Sequence, residues 1–237
     1  MKIPDWKWIL KWKVIYPIRH GHSYSSGYEI GVRRVLMPLS GHEFWDVGAN
    51  TGHYTFMLAK NFDLVRAFEP NPQALRILTQ KVAKTNSNNV QVVPLALSDF
   101  IGKSRLYLHT EIHENTIGSS NSFFSYSKIP MQRSDECKEM NLVPFIEVET
   151  NTVDNILGNE SVDLMKIDVE GAEFMVLKGA VKALTEGRII NLMIELHHGE
   201  QKDKLDSLLA RHHYRTNWLD HVPGAEVSRV FATLLDQ

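Results

Sequence analysis

The sequence predicts an α/β fold built as a doubly wound, mostly parallel sheet with helices on both faces, and three observations predict it. From Glu43 onward, short apolar runs rich in β-branched residues alternate with longer segments of helical period, the pattern of βα units. The runs are nearly continuous in apolar character, as strands buried on both sides are. A glycine-containing turn, Asp46-Val47-Gly48-Ala49-Asn50-Thr51-Gly52, joins the first run to the first helical segment, at the sheet edge where such folds bind ligands.

Taken in order, the strands are expected at Glu43 to Val47, Leu64 to Glu69, Val90 to Leu97, Val162 to Asp168 and Ile189 to Leu196. Helices are expected at Tyr54 to Lys60, Pro72 to Lys84, Glu173 to Thr185 and Gln201 to Arg211; Pro72 suits a first helical turn because it has no N–H to waste there. Tyr214 to Trp218 and Arg229 to Leu234 could add two late strands. Residues 110–145 break this rhythm. Ser119, Ser120, Ser122, Ser125, Ser127 and Ser134 crowd a stretch that also holds Gly118, Pro130 and Pro144, a composition that favours turns. An inserted loop or lid of that length is expected to cover a ligand or to be a surface excursion.

At roughly 150 residues per domain, 237 residues suit one core with an additional segment. The division expected is an N-terminal helical extension over 1–42 and one domain over 43–237. With 43% hydrophobic and 23% charged residues, the chain reads as a packed globular protein. A net charge of −2 supplies no cationic surplus for a duplex nucleic-acid backbone. A single cysteine, Cys137, can form neither an internal disulfide nor a thiolate zinc site, which fits a reducing compartment. Lys2, Asp5, Lys7, Lys11 and Lys13 interrupt the apolar residues of the N-terminus. They leave no signal-peptide core and no run of about 20 apolar residues, and a cytoplasmic location is the simplest expectation. Trp6, Trp8 and Trp12 among those lysines leave peripheral membrane contact open. Composition fixes no oligomeric state.

In the glycine turn, Gly48 and Gly52 would let the backbone turn tightly and approach a ligand, and the following helix start adds N–H donors. Nicotinamide-dependent oxidoreductases place a GxGxxG loop at the same point. Here Asn50 replaces the middle glycine and Asp46 lies two residues before Gly48. A carboxylate beside the loop repels a pyrophosphate and favours a cation such as the sulfonium and ammonium of S-adenosylmethionine (SAM). Glu69 ends the second strand before Pro70-Asn71-Pro72, where an acid can accept both hydroxyls of a ribose. Asp99, after Ser98, could accept the adenine amino proton.

Asp46 to Gly52, Phe68-Glu69-Pro70-Asn71-Pro72, Ala96-Leu97-Ser98-Asp99 and Lys166-Ile167-Asp168-Val169-Glu170-Gly171-Ala172-Glu173 together resemble the FkbM-type SAM-dependent methyltransferases. The resemblance runs over roughly residues 43–197. It implies a class I methyltransferase, Rossmann-like fold with a seven-stranded sheet, one strand antiparallel, and methyl transfer to a hydroxyl oxygen of a small molecule or sugar. It further implies Asp46, Gly48, Asn50 and Gly52 at the methionine end of SAM, Glu69 at the ribose and Asp99 at the adenine. A nicotinamide-dependent oxidoreductase and a non-catalytic SAM-binding module remain the alternatives.

A hydroxyl acceptor must lose its proton, and the strand ends supply the candidate bases. Asp168 and Glu170 fall on the same side of an extended chain, as do Glu195 and His197. His197 is attractive because an unperturbed imidazole is mostly neutral at physiological pH. Glu173 has a structural explanation in the first turn of a helix. Asp168, Glu195 and His197 could alternatively ligate a divalent metal, although their spacing is not a metal motif and no metal is assigned.

Overall fold

The computed structural model describes residues 27–107, 116–118, 145–197, 201–220 and 227–235. The tryptophan and lysine pattern before position 20, Cys137, His198 and most of the expected inserted loop lie outside the described residues. In chain order the elements are α1 (Gly27–Leu36), β1 (Gly41–Val47), α2 (His53–Leu58), β2 (Phe62–Phe68), α3 (Pro72–Thr85), β3 (Val90–Val93), β4 (Ala96–Leu97) and β5 (Gly102–Tyr107). They continue with β6 (Thr116–Gly118), β7 (Phe145–Asn151), α4 (Val153–Leu157), β8 (Val162–Ile167), α5 (Glu173–Lys178), α6 (Val181–Thr185), β9 (Ile189–His197), α7 (Lys202–Arg211), β10 (Tyr214–Asp220) and β11 (Val227–Leu234).

Seven strands form the main sheet in the order β10-β11-β9-β8-β1-β2-β3. β9, β8, β1, β2 and β3 run parallel, and β11 runs antiparallel to both of its neighbours. This is the expected doubly wound sheet with one antiparallel strand. Two cores sit on its opposite faces, because side chains alternate along each strand. Phe44, Leu164 and Met193 pack with Val32 and Leu36 of α1 and Leu58 of α2. Trp45, Met165, Ile167, Leu192 and Ile194 pack on the other face with Val153 of α4, Val176 of α5, Leu184 of α6 and Leu205 of α7.

The third expected strand is two strands. Pro94 has no N–H for a ladder, so β3 stops at Val93 and the chain leaves the main sheet. Ala96 and Leu97 then pair with Thr150 and Asn151 of β7. β4, β7, β5 and β6 form a second, four-stranded sheet around Ala96, Leu106 and Val148. Within the stretch expected as loop, Thr116–Gly118 pairs with β5. The alternation in Gly102–Tyr107 and Phe145–Asn151 buries only two side chains of each strand, too weak a signal to stand out beside the main strands.

The expected helix over Glu173 to Thr185 is likewise broken in two, at Gly179. A Cβ there would lie 2.0 Å from the Ser98 carbonyl oxygen, so only glycine lets the chain after β4 come this close. Asp154 of α4 restores the lost order by accepting from the backbone N–H groups of Lys182 and Ala183 at 2.9 and 2.7 Å, which caps α6 from outside. Gly179→Ala is expected to destabilise the fold by about 2 kcal/mol or more, read as a lower urea midpoint. Gly31→Ala, with open space around its Cβ, should leave the midpoint unchanged or raise it.

Candidate functional site

The carboxyl ends of β9, β8, β1 and β2 lie side by side, and the expected site residues other than Asp99 cluster on them. Asp46 and Lys166 are register partners on β1 and β8, as are Lys166 and Met193 on β8 and β9. One sheet face, apolar through Phe44 and Leu164 near its middle, thereby becomes charged toward this edge. Lys166 Nζ lies 3.1 Å from Asp168 Oδ2 and 3.5 Å from Asp46 Oδ1, with the Tyr54 ring centroid 4.8 Å away. Burial alone would lower the Lys166 pKa, but Asp168 and then Asp46 outweigh it and hold the ammonium firmly protonated. Asp168 shows the converse balance: burial would raise its pKa, yet Lys166 and then His197 keep it below the usual carboxylate range.

The turn after β1 is fixed by protein contacts. Gly48 adopts φ +77° and Gly52 φ +87°, and Asn50 is also left-handed at φ +50°. A Cβ on Gly48 would lie 1.8 Å from the Asp168 carbonyl oxygen, so this glycine is needed for the turn to pass β8. The backbone N–H groups of Gly48 and Ala49 donate to the Phe68 carbonyl, and that of Asn50 donates to Glu69 Oε2 at 2.8 Å. Asn71 N–H donates to Glu69 Oε1 at 2.8 Å. Burial pushes the Glu69 carboxyl up to about 7 against the lowering effect of those two donors. Asp46 is fully buried; its Oδ2 accepts from Thr55 Oγ1 at 2.6 Å, and its Oδ1 accepts no hydrogen bond among the described residues. Asp99 follows β4, its Oδ1 3.3 Å from Ser98 Oγ and its Oδ2 3.9 Å from Lys178 Nζ.

His197, expected as a neutral base, is clasped between two carboxylates. Its Nδ1 lies 2.8 Å from Glu173 Oε1 and its Nε2 3.2 Å from Glu170 Oε2. Burial opposes the charged form, but the hydrogen bonds to Glu170 and Glu173 prevail and push the imidazole up to about 11. An imidazolium has no lone pair with which to take a proton, so an imidazole clasped in this way is a poor general base. Glu173 is buried and also accepts from the Gly171 N–H at 2.9 Å, so it holds the turn after β8 together as well as sitting in the first turn of α5. Glu170 stands in the left-handed region at φ +54° and remains partly exposed.

Glu195 is a register partner of Arg229 on β11. Arg229 Nε and Nη2 donate to its two oxygens at 3.0 and 2.7 Å, while Asp220 takes Arg229 Nη1 at 3.0 Å. The Glu195 carboxyl is raised from its ordinary value by burial and then by Asp168, against Arg229. Val32, Tyr54, Lys166, Met193, Glu195 and Arg229 line one narrow cleft. Lys166, Thr55, Tyr54 and Arg229 were not among the expected site residues. Lys166 did carry a signal, since a lysine inside an otherwise apolar central strand must find an anion.

A family model described as the methyltransferase FkbM domain matches residues 46–216. The hexuronic acid methyltransferase AglP of Haloferax volcanii is 26% identical over 175 residues, which are 70% of this chain and 60% of that protein. The chain spans 56 to 60% of the length of the curated relatives it matches. The crystal structure of methyltransferase FkbM from Methylobacillus flagellatus KT superposes with a TM-score of 0.56 at 19% identity, covering 84% of this chain and 46% of that one. A Streptococcus mutans structure described as a methyltransferase in complex with SAH gives 0.51 at 14% identity, over 90% of this chain and all of that one. At these identities the two structures show a shared fold.

The buried charges give the site its stability test. Lys166→Met removes the cation between two carboxylates and should lower the unfolding free energy by about 3–5 kcal/mol. Lys178→Met, at the long and exposed contact with Asp99, should leave the urea midpoint unchanged.

Proposed function

The chain belongs to the methyltransferase FkbM family and has the class I methyltransferase fold, and on that premise we propose that it is a SAM-dependent methyltransferase acting on a hydroxyl oxygen of a small molecule or glycan. The observation that carries the reading is the hydrogen bond from Asn50 N–H to Glu69 Oε2. It ties the turn after β1 to the acid after β2, so that both face one crevice at the sheet's carboxyl edge. The SAH bound in the Streptococcus mutans neighbour supports the donor, and the hexuronic acid named for AglP supports a sugar acceptor. Family membership leaves no observation in favour of a nicotinamide cofactor. The catalytic domain is taken as 43–237, with 1–42 as an extension.

The residues fit the donor. Asp46 Oδ1 is a buried carboxylate oxygen that accepts no hydrogen bond from the described residues and lies 3.5 Å from the Lys166 ammonium, which leaves it acceptor capacity for the ammonium of the donor. Glu69, with one lone pair on each oxygen already committed to a backbone donor, keeps further acceptor capacity for a ribose diol. Gly48, Asn50 and Gly52 shape the turn between them, and Asp99 is assigned to the adenine. SAM supplies a methyl group already activated by its sulfonium, so the protein's task is mainly to place the acceptor in line.

Glu195 is assigned as the base that takes the acceptor's hydroxyl proton. It lines the cleft, its pKa is raised, and a bidentate contact with Arg229 leaves two of its four lone-pair positions unused. Lys166, held protonated beside it, stabilises negative charge developing on the acceptor oxygen. Asp168, Glu170 and His197 frame the same edge.

Calorimetric titration with SAM tests the donor. Asp46→Ala and Glu69→Ala should each weaken binding at least tenfold, about 1.4 kcal/mol, and unchanged affinity in both would remove the assignment. Because Glu69 must be ionised to accept two hydroxyls and its pKa stands near 7, SAM affinity should fall about tenfold between pH 8 and pH 6, and Glu69→Ala should flatten that dependence. On a panel of hydroxylated acceptors, Glu195→Gln should keep SAM affinity and lose about 10²- to 10⁴-fold in turnover. Full turnover by that variant would exclude Glu195 as base.

A further inference from the structure

We propose that Asp168, Glu170 and His197 form a binding site for one hard divalent cation of the Mg²⁺ or Mn²⁺ class. One ligand atom from each residue lies within 4.8 Å of the others; opposite ligands on an ion with bonds of about 2.2 Å are about 4.4 Å apart, so a modest side-chain shift would let the three share one ion. His197 Nε2 and Glu170 Oε2 are 3.2 Å apart. Adjacent ligands on an octahedral ion with bonds of about 2.1–2.2 Å lie roughly 3 Å from each other. Two carboxylate oxygens and an imidazole suit such an ion, and the remaining positions stay open for water or an acceptor oxygen.

A fourth residue, packed against His197, supports the site. Glu173 is 1% exposed and binds Nδ1 of His197 at 2.8 Å. A carboxylate on the far nitrogen is the arrangement that orients a metal-ligating imidazole and raises its basicity. It fixes the ring with Nε2 turned toward Glu170. The same Glu173 oxygen accepts from the Gly171 backbone, so the turn bearing Glu170 and the ring of His197 are positioned by one buried group.

The ligand set differs from the one the sequence suggested. Glu195 is engaged by Arg229, and Glu170 takes its place because the left-handed turn at Glu170 and Gly171 brings its side chain to His197. Lys166 touches Asp168 Oδ2 and offsets part of the anionic charge, while Asp168, Glu170 and Glu173 keep the surroundings negative.

The proposal stands on ligand geometry and does not depend on the donor assignment. Its test is a titration of the full chain with Mn²⁺ alone, reading the free-ion electron paramagnetic resonance signal. One ion per chain is expected, with affinity at least tenfold weaker in both Glu170→Gln and His197→Ala. Glu170 is partly exposed, so its amide variant should fold even where His197→Ala does not, and circular dichroism checks both. Failure of the wild type to bind Mn²⁺ at millimolar concentration overturns the site, as does unchanged affinity in a folded Glu170→Gln. SAM titration of the same samples separates the two readings. Mn²⁺ binding without SAM binding supports the cation site and removes the donor assignment; SAM binding without Mn²⁺ binding does the reverse.

Discussion

The ammonium of Lys166 is the charge around which this edge of the sheet is organised. A lysine in the middle of a parallel sheet is tolerable only when anions surround it, and strand register supplies them. Asp46 is its direct partner on β1, and Asp168 follows two residues later, just past the end of β8. Two carboxylates are thereby held beside one buried cation, Asp46 buried with it and Asp168 partly exposed at the sheet's edge. Shifting β8 by one residue would turn Lys166 into the apolar core on the opposite face. The buried pair therefore helps to specify register as well as to place charge at this edge of the sheet.

Around that charge, backbone contacts do what side chains alone could not. Gly48 passes within a Cβ's reach of the Asp168 carbonyl, locking the turn after β1 to the turn after β8. Asn50 ties the same turn to Glu69 beyond β2. Three strand ends thus share one framework, and a change in any turn is felt by the others. The left-handed residues Asn50, Glu170 and Gly171 concentrate in these turns, where conformational strain most often accompanies function.

The segments least visible in the sequence are those whose structure depends on distant partners. β4 has two residues, and its existence rests on β7, more than fifty residues away. The interruption of α5 and α6 at Gly179 answers to the Ser98 backbone, which no periodicity within the helix could reveal. Pro94 did carry its own signal, since a proline inside a strand pattern demotes that strand; the apolar residues flanking it outweighed it in the pattern.

The sequence by itself determined the doubly wound sheet, the turn at Asp46 to Gly52 and the acids at the strand ends, because apolar periodicity, glycine spacing and strand-terminal carboxylates are local properties of the chain. Tertiary structure alone decided what those acids do. Glu195 and His197 look equivalent in sequence, two residues apart on one strand, yet β11 gives Glu195 an arginine while the turn after β8 gives His197 two carboxylates. One carboxyl is raised and stays open to a cleft; the imidazole is held by anions on both nitrogens. Ionisation is set by the charges and burial that folding assembles within a few ångströms, and those neighbours come from strands far apart along the chain.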